Sequence, residues 1–435
     1  MQPIAVICKN EFIVVCSGED DGTDSMEDTM KVVGIVAEYN PFHNGHAYQL
    51  SEAKRLCGAD FAVVVMSGDF TQRGLPAVFD KQTRTACALL CGADLVLELP
   101  FVYATSSAEI FAEGAIGILD RLGVVDEVCF GTESMEKPET YKKVAAFLLE
   151  EPEEYRAKLQ KLLKEGKSFP VARSEAAAGF LSFEQLQLLQ NPNSLLGIEY
   201  QKAILRRNSK MKPVPVLRRG SGYHDGEVNA EGFSSATALR RMLAANNLDC
   251  FFAQIPKKAA EYLAQNGCYP VDAEDFSLLY HYVLLGKEPE QLAGYSDVSA
   301  ELAARMASIK STGTYEELAE ALKTKQYTRT RVDRALLHVL LGLKRQSVAD
   351  FREGDVNYAR ILGFLKTAEP LLHALKKEAG LPVLTKPAQS GQRFSNEEQE
   401  LLALDCKAAS LYRQVVREKY GIALPEDYKT PLIIS

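Results

Sequence analysis

No two of the nine cysteines in this 435-residue chain form a CxxC pair, and their number is odd. That pattern argues against both a disulfide framework and a zinc cluster. Cys87 and Cys91 stand four apart on an expected helix, but no His or further Cys nearby completes a metal site, so no protein-held metal is expected. Reduced, scattered cysteines of this kind read as cytosolic. Apolar runs of membrane-spanning length are absent, and so are internal repeats and low-complexity segments. An excess of positive charge is missing too. The formal net charge of −8 argues against indiscriminate coating of nucleic acid, although a local basic patch could still engage phosphates.

What is present is a composition of 46% hydrophobic and 25% charged residues, enough for a sizeable core in two or three domains. Residues 3–16 are partly apolar but interrupted by Lys9, Asn10 and Glu11, with no basic leader before them, and residues 19–28 are acidic and turn-like. A signal peptide fits poorly. Met30 is expected to be the functional start, with residues 1–29 an extension that is disordered or belongs to a mis-called start.

From Met30 onward, short apolar runs alternate with helical periodicity. Strands are predicted at 32–37, 61–66, 94–99 and 127–130, and helices at 46–57, 81–91 and 108–122. Strands of continuous apolar character, each followed by a helix, imply an α/β domain with a mostly parallel sheet covered on both faces. Its ligands should bind beyond the carboxyl ends of the strands. Residues 140–210 read as mainly helical, and 214–217 as one more strand. After about residue 245 strand signals fade and helical periodicity dominates. The expected layout is a Rossmann-like domain at 30–245 followed by a mostly helical domain at 246–435.

Chemistry concentrates in Glu38-Tyr39-Asn40-Pro41-Phe42-His43-Asn44-Gly45-His46, between the first strand and the first helix. Histidines at i and i+3 share one face of a helix's first turn, beside unpaired backbone N–H groups and the positive end of the helix dipole. Gly45 between them leaves space for a flat base against the backbone. Displacement at a phosphorus needs positioning and donors directed at the phosphate oxygens, and two imidazoles supply such donors. The bland alternative, a capping loop with incidental histidines, is weakened because two of only six histidines fall here. Ser234, Ser235 and Thr237 open a further helix that carries Arg240, an arrangement suited to holding pyrophosphate. Two basic stretches stand out: Arg206, Arg207, Lys210, Lys212, Arg218 and Arg219, then Lys323, Lys325, Arg329, Arg331 and Arg334. They fit contacts to an RNA backbone or, for the second equally, a solvated face. His281, His338 and His373 read as structural and His224 as open. Asp69 and Glu98 could line the pocket, with nothing to mark either as a base.

At these residues the chain closely resembles the tRNA(Met) cytidine acetate ligase family, whose catalytic domain is of the HxGH nucleotidylyl-transferase type. The resemblance runs from Met30 essentially to the end. It rests on Asn40-Pro41-Phe42-His43-Asn44-Gly45-His46, Met66-Ser67-Gly68 with Gln72-Arg73-Gly74, Gly131-Thr132-Glu133-Ser134, Asn191-Pro192-Asn193, residues 220–225, and Tyr358-Ala359-Arg360-Ile361-Leu362-Gly363. The departures are small: residues 1–29 have no counterpart, Ser221 stands where Ala is usual, and Asp69 and Leu75 differ from expectation.

The resemblance implies an enzyme that activates acetate with ATP as acetyl-adenylate, releasing pyrophosphate. The acetyl group then passes to N4 of the wobble cytidine of elongator tRNA(Met). It implies His43 and His46 as catalytic residues. The ATP site would comprise Val36, Ala37, Glu38, Tyr39, Asn40, Pro41, Phe42, His43, Asn44, Gly45, His46, Ala47, Tyr48 and Gln49, with Gly131, Asn193 and Arg218. Phosphate would be held by Ser234, Ser235 and Thr237. Arg206, Arg207, Lys210, Lys323, Lys325, Arg329 and Arg331 would touch tRNA, mostly on the helical domain. Mg²⁺ would arrive with the ATP phosphates. No membrane and no protein partner is implied. Cytidine N4 is a feeble nucleophile, its lone pair delocalised into the ring, so an adenylate suits it, and no Ser or Cys nucleophile motif appears instead. Two rivals stand beside this reading. One is an adenylyltransferase making a small cofactor, which leaves the helical region without a task. The other is a non-catalytic nucleotide-binding RNA scaffold, which leaves the histidines without one.

Overall fold

The structure, a computed structural model, describes residues 30–134, 136–218, 233–309, 313–353, 356, 358–390, 394–428, 430 and 432–435. Residues 1–29, Arg219 and the glycine-rich stretch with His224 therefore lie outside the described residues.

Eight strands of the described residues share one sheet in the order β5-β4-β1-β2-β3-β6-β7, with β8 also against β6. The strands are β1 (Val32–Ala37), β2 (Phe61–Ser67), β3 (Leu95–Leu99), β4 (Glu127–Thr132), β5 (Lys212–Leu217), β6 (Ala359–Phe364), β7 (Val383–Leu384) and β8 (Ile433–Ile434). β1 through β5 are mutually parallel, as the apolar runs imply. Alternate residues of each run enter opposite cores. Val33, Ile35, Val64, Met66 and Val96 pack with helices α1 (Asn44–Cys57) and α2 (Lys81–Leu90). Val32, Val63, Val65, Leu97 and Leu99 pack on the other face, against the helix Ala108–Arg121. Each such side chain, fully buried, stabilises the fold by about 1.5–3 kcal/mol. That helix lies so close to β1 that a Cβ at Gly34 would meet Leu119 at 2.8 Å.

Two differences from the sequence reading stand out. β5 begins at Lys212, two residues earlier than expected, and contains Pro213 and Pro215. It is the terminal strand on its side of the sheet, where alternate missing N–H donors face away from the ladder. The second difference corrects the expectation that strand character ends near residue 245: β6 pairs antiparallel with β3 inside the same sheet. Its Arg360 is buried, and a charged residue in a short run hides strand character. The compensation comes from far away in the chain. Arg360 pairs with Glu98 of β3 at 2.8 Å and with Asp427 at 2.8 Å, while Lys81 of α2 reaches Glu98 at 2.7 Å and Asp427 at 3.1 Å. Two cations and two anions balance in the interior.

Candidate functional site

α1 starts at Asn44, so His43 is its cap rather than part of its first turn. The backbone of His43 is extended, and its Nδ1 accepts the Gly45 N–H at 3.0 Å. The Nδ1 of His46 accepts the His43 N–H at 3.3 Å. The two rings stack with centroids 3.7 Å apart. A neutral imidazole that accepts at Nδ1 carries its proton on Nε2, on the opposite side of the ring. Burial, then the charges of Arg218 and Arg240, push His43 down to about 3. Burial, then His43 and Arg218, hold His46 well below the usual range. Both are therefore neutral Nε2–H donors at physiological pH. Gly45 has an immediate reason beyond the one expected: a Cβ there would meet the His43 ring at 2.9 Å.

The approach to this cap is held from several sides. Tyr39 adopts a left-handed φ of 49° and packs edge-on against His46, ring centroids 4.8 Å apart. Asn40 accepts the Val78 N–H through Oδ1 at 2.8 Å, and its carbonyl accepts Arg240 Nη1 at 2.7 Å. Arg84, fully buried, donates to the carbonyls of Phe79, Ser67, Gly68 and Glu38. It thereby ties the carboxyl ends of β1 and β2 together. Nothing in the local sequence marked it.

Beyond β4, Glu133 accepts from Asn193 Nδ2 and from the Ser194 backbone N–H. Asn193 Oδ1 in turn accepts Arg218 Nη1 at 3.3 Å. The Arg218 chain passes over Gly131, where a Cβ would come within 3.4 Å. Ser235 caps the helix Ala236–Ala244, accepting the Ala238 N–H at 3.2 Å, and Thr237 accepts Arg240 Nη2 at 3.2 Å. Burial, then the like charge of Arg73, pull Arg240 below its usual range.

These groups surround one cavity of about 970 Å³. Val36, Ala37, Glu38, Tyr39, Asn40, His43, His46, Gln49, Gly131, Asn193, Arg218, Ser235 and Thr237 all line it. Pro41, Phe42, Asn44, Gly45, Ala47 and Tyr48 lie behind that surface. Asn44, for example, donates to the Gln254 carbonyl at 3.0 Å. Ser234 also turns aside, donating to Gln254 Oε1 at 2.9 Å. Asp69 and Glu98, candidate pocket acids on the sequence alone, do not line the cavity. Asp69 is buried and accepts the Lys81 N–H at 2.7 Å, and Glu98 belongs to the interior ion cluster. Arg73 and a far wall that includes Pro270, Asp272, Glu274, Lys419 and Tyr420 complete the lining. That wall comes from beyond residue 245 and carried no local motif.

The basic stretches are brought together less than their sequence suggests. Arg218 of the first stretch and Arg329 of the second line the cavity, but Arg206 ends the helix Pro192–Arg206 that begins there, about 20 Å away along its axis. Arg206 pairs with Glu109 at 2.8 Å and Arg207 with Asp120 at 3.0 Å. Arg329 bonds Glu316 and Asp333, Lys323 bonds Glu320, and Arg331 lies 5.1 Å above the Tyr327 ring. Lys210 and Lys325 stand exposed. Buried His338 has Nδ1 3.2 Å from the Ser296 carbonyl and Nε2 3.0 Å from the Thr105 carbonyl, either of which can accept its ring N–H, and it lies outside this cavity. Among the described residues no group of three or more His, Cys, Asp or Glu side chains is placed to hold a metal ion, and no helix is long and apolar enough to cross a membrane.

A parallel sheet with a two-histidine cap at the carboxyl edge of its central strand defines a nucleotidyl transferase fold, and the model of the HIGH nucleotidyl transferase family matches residues 30–424. The tRNA(Met) cytidine acetate ligase of Acetivibrio thermocellus is 39% identical over 394 residues, spanning 88% of this chain and 94% of its own. That of a Thermoanaerobacter species is 40% identical over 385 residues, spanning 86% and 94%. The crystal structure of Thermotoga maritima TmcAL bound with alpha-thio ATP superimposes with a TM-score of 0.85 at 33% identity, covering 93% of this chain and all of that one. Its apo form gives 0.87 at the same identity. The chain belongs to the tRNA(Met) cytidine acetate ligase family.

Proposed function

We propose that the cavity binds ATP and acetate, joins them as acetyl-adenylate with release of pyrophosphate, and passes the acetyl group to N4 of the wobble cytidine of elongator tRNA(Met). The observation that carries this reading is the paired Nε2–H donors of His43 and His46, set in the same cavity as Arg73, Arg218 and Arg240. An acetate oxygen attacks the α-phosphorus and the bond to pyrophosphate breaks. Negative charge that spreads over the phosphate oxygens meets donors already oriented and already desolvated. Arg240 and Thr237 suit the departing pyrophosphate, and Arg218, fixed by Asn193, closes the opposite side. Mg²⁺ enters with the ATP phosphates as part of the substrate. On the nucleotide-motif side one carboxylate, Glu38, lines the cavity, which suits an ion that keeps mostly water and phosphate ligands.

A volume of about 970 Å³ lies at the top of the range usual for one small ligand, about 300–1,000 Å³, and leaves room for a second reactant. A wobble base, single-stranded in its loop, can be splayed into such a space. The helical region beyond residue 245 supplies the far wall, and exposed Lys210 and Lys325 are available to the tRNA backbone. The cofactor-synthesis alternative leaves that wall without a role. The test is ATP–pyrophosphate exchange with and without acetate and without tRNA, followed by acetylation of unmodified tRNA(Met). Acetate-dependent exchange is expected; exchange that ignores acetate would sink the reading.

A further inference from the structure

Acetyl transfer to cytidine N4 forms an N–C bond and breaks the bond between the acyl carbon and the adenylate oxygen. AMP leaves with that electron pair, and one N4 proton must go elsewhere. The cavity lining offers few places for it. His43 and His46 already accept backbone N–H groups at Nδ1 and carry protons at Nε2, so neither has a free lone pair. Burial raises Tyr39 and Tyr200, and pushes Cys268 up to about 11, so these groups keep their protons. The other carboxylates of the lining lie on the far wall and accept hydrogen bonds there. Asp272 accepts the Glu274 N–H at 2.9 Å. Glu274 accepts the N–H groups of Tyr315 and Glu316, both at 2.9 Å, and Glu316 holds Arg329 through both oxygens.

One carboxylate of the lining stands beside the histidine cap rather than on the far wall. Glu38 directly follows β1, at the carboxyl edge of the central strand and five residues before the histidine cap. Its Oε1 accepts the Gln72 N–H at 2.7 Å, and Gln72 is anchored through Nε2 to the Ser106 carbonyl at 3.0 Å. Its Oε2 takes no hydrogen bond from any described residue, and its carbonyl is fixed by Arg84 at 2.7 Å. One oxygen is thus held and the other available, on a backbone tied to Arg84.

We propose that Glu38 is the general base of the second half-reaction, accepting the N4 proton of the cytidine as the acetyl group transfers. The proton moves from N4 to Oε2 and then to solvent, and the carboxylate is regenerated. This rests on the acetyl-transfer reading above and assigns the step within it.

The test compares both half-reactions in Glu38→Gln, whose amide oxygen can still accept from Gln72. Acetate-dependent ATP–pyrophosphate exchange reads adenylate formation. Single-turnover acetylation of tRNA(Met) from preformed enzyme-bound acetyl-adenylate reads transfer. General-base catalysis is worth about 10²–10⁴-fold, so the ratio of transfer to exchange should fall at least about 100-fold. Equal falls in both would make Glu38 an ATP or Mg²⁺ ligand instead and overturn the proposal, as would an unchanged ratio. Glu38→Asp, which retains a carboxylate, should keep a higher ratio than Glu38→Gln; identical ratios would also overturn it. If the wild-type protein shows no acetate-dependent exchange, the ligase reading itself fails, a result distinct from any of these.

Discussion

His43 and His46 owe their chemistry to bonds they make with their own helix. Each Nδ1 satisfies a backbone N–H at the start of α1, and this leaves each Nε2 a donor. Replacing either with Ala removes a transition-state donor, a loss of about 10²–10³-fold in comparable sites. Acetate-dependent exchange by His43→Ala or His46→Ala should fall by at least that factor, while the far-ultraviolet circular dichroism spectrum stays native. Near-normal exchange in either variant would remove that histidine from the mechanism. Gly45→Ala should act indirectly, since its Cβ would displace the His43 ring and lower kcat with the histidine still present. The motif itself was legible because His, Gly and His at fixed spacing after an apolar strand are rare in combination. Glu38 was legible only as part of the stretch. Its separate character depends on Gln72, 34 positions away, and on how the other carboxylates are engaged. Arg84 was silent for the same reason, as all its acceptors are carbonyls of other loops.

Loops fix the site as firmly as strands do. The turn that carries Gln72 passes under the helix Arg329–Leu341, and Gly74 sits there at φ 78°. A Cβ at Gly74 would lie 2.3 Å from the Arg334 backbone nitrogen, with no flexible side chain to yield. Gly74→Ala should therefore lower the melting temperature and shift the Gln72 N–H away from Glu38. Thermal melting and tRNA acetylation, measured together, should both decline; a variant with wild-type values in both would show that the turn tolerates the shift. At this scale β1 to β4 and their helices were readable from unbroken apolar runs and helical periodicity. β5 was partly obscured by two prolines that only an edge position tolerates, and β6 by an arginine whose counter-charges are remote.

At the scale of the molecule, buried charged groups link segments far apart in the sequence. Asp405, in the helix Asn396–Tyr420, accepts the Phe101 N–H at 2.7 Å. Burial, then the charge of Glu98, push its carboxyl up to about 7. Asp427 behaves oppositely: burial would raise it, yet Lys81 and Arg360 hold it well below the usual carboxylate range. A raised folded-state pKa means that the native state retains its proton longer than the unfolded chain. Its contribution is complete below the ordinary value of 3.8 and is lost as pH rises to about 7. Asp405→Asn keeps an acceptor for Phe101 and cannot ionise. Its melting temperature relative to wild type should rise between pH 4 and pH 7 and then level off; a constant difference would mean that Asp405 does not titrate there. A fragment of residues 30–245 should be poorly soluble in size-exclusion chromatography, because it uncovers the edge of β3 that β6 pairs. A monodisperse fragment would show that β6 is dispensable for that edge.

The position of β6 also sets a schedule for biosynthesis. A ribosome delivers the five parallel strands well before it delivers β6, and Asp427 emerges later still. For that interval the nascent chain carries a bare strand edge, and the Lys81–Glu98 ion pair lacks its Arg360 and Asp427 partners. The nucleotide motif and the parallel strands are thus encoded early, and the strand that covers the β3 edge late. A chain truncated before Ala359 would keep every residue of its histidine cap and still lack the strand that covers the edge of β3.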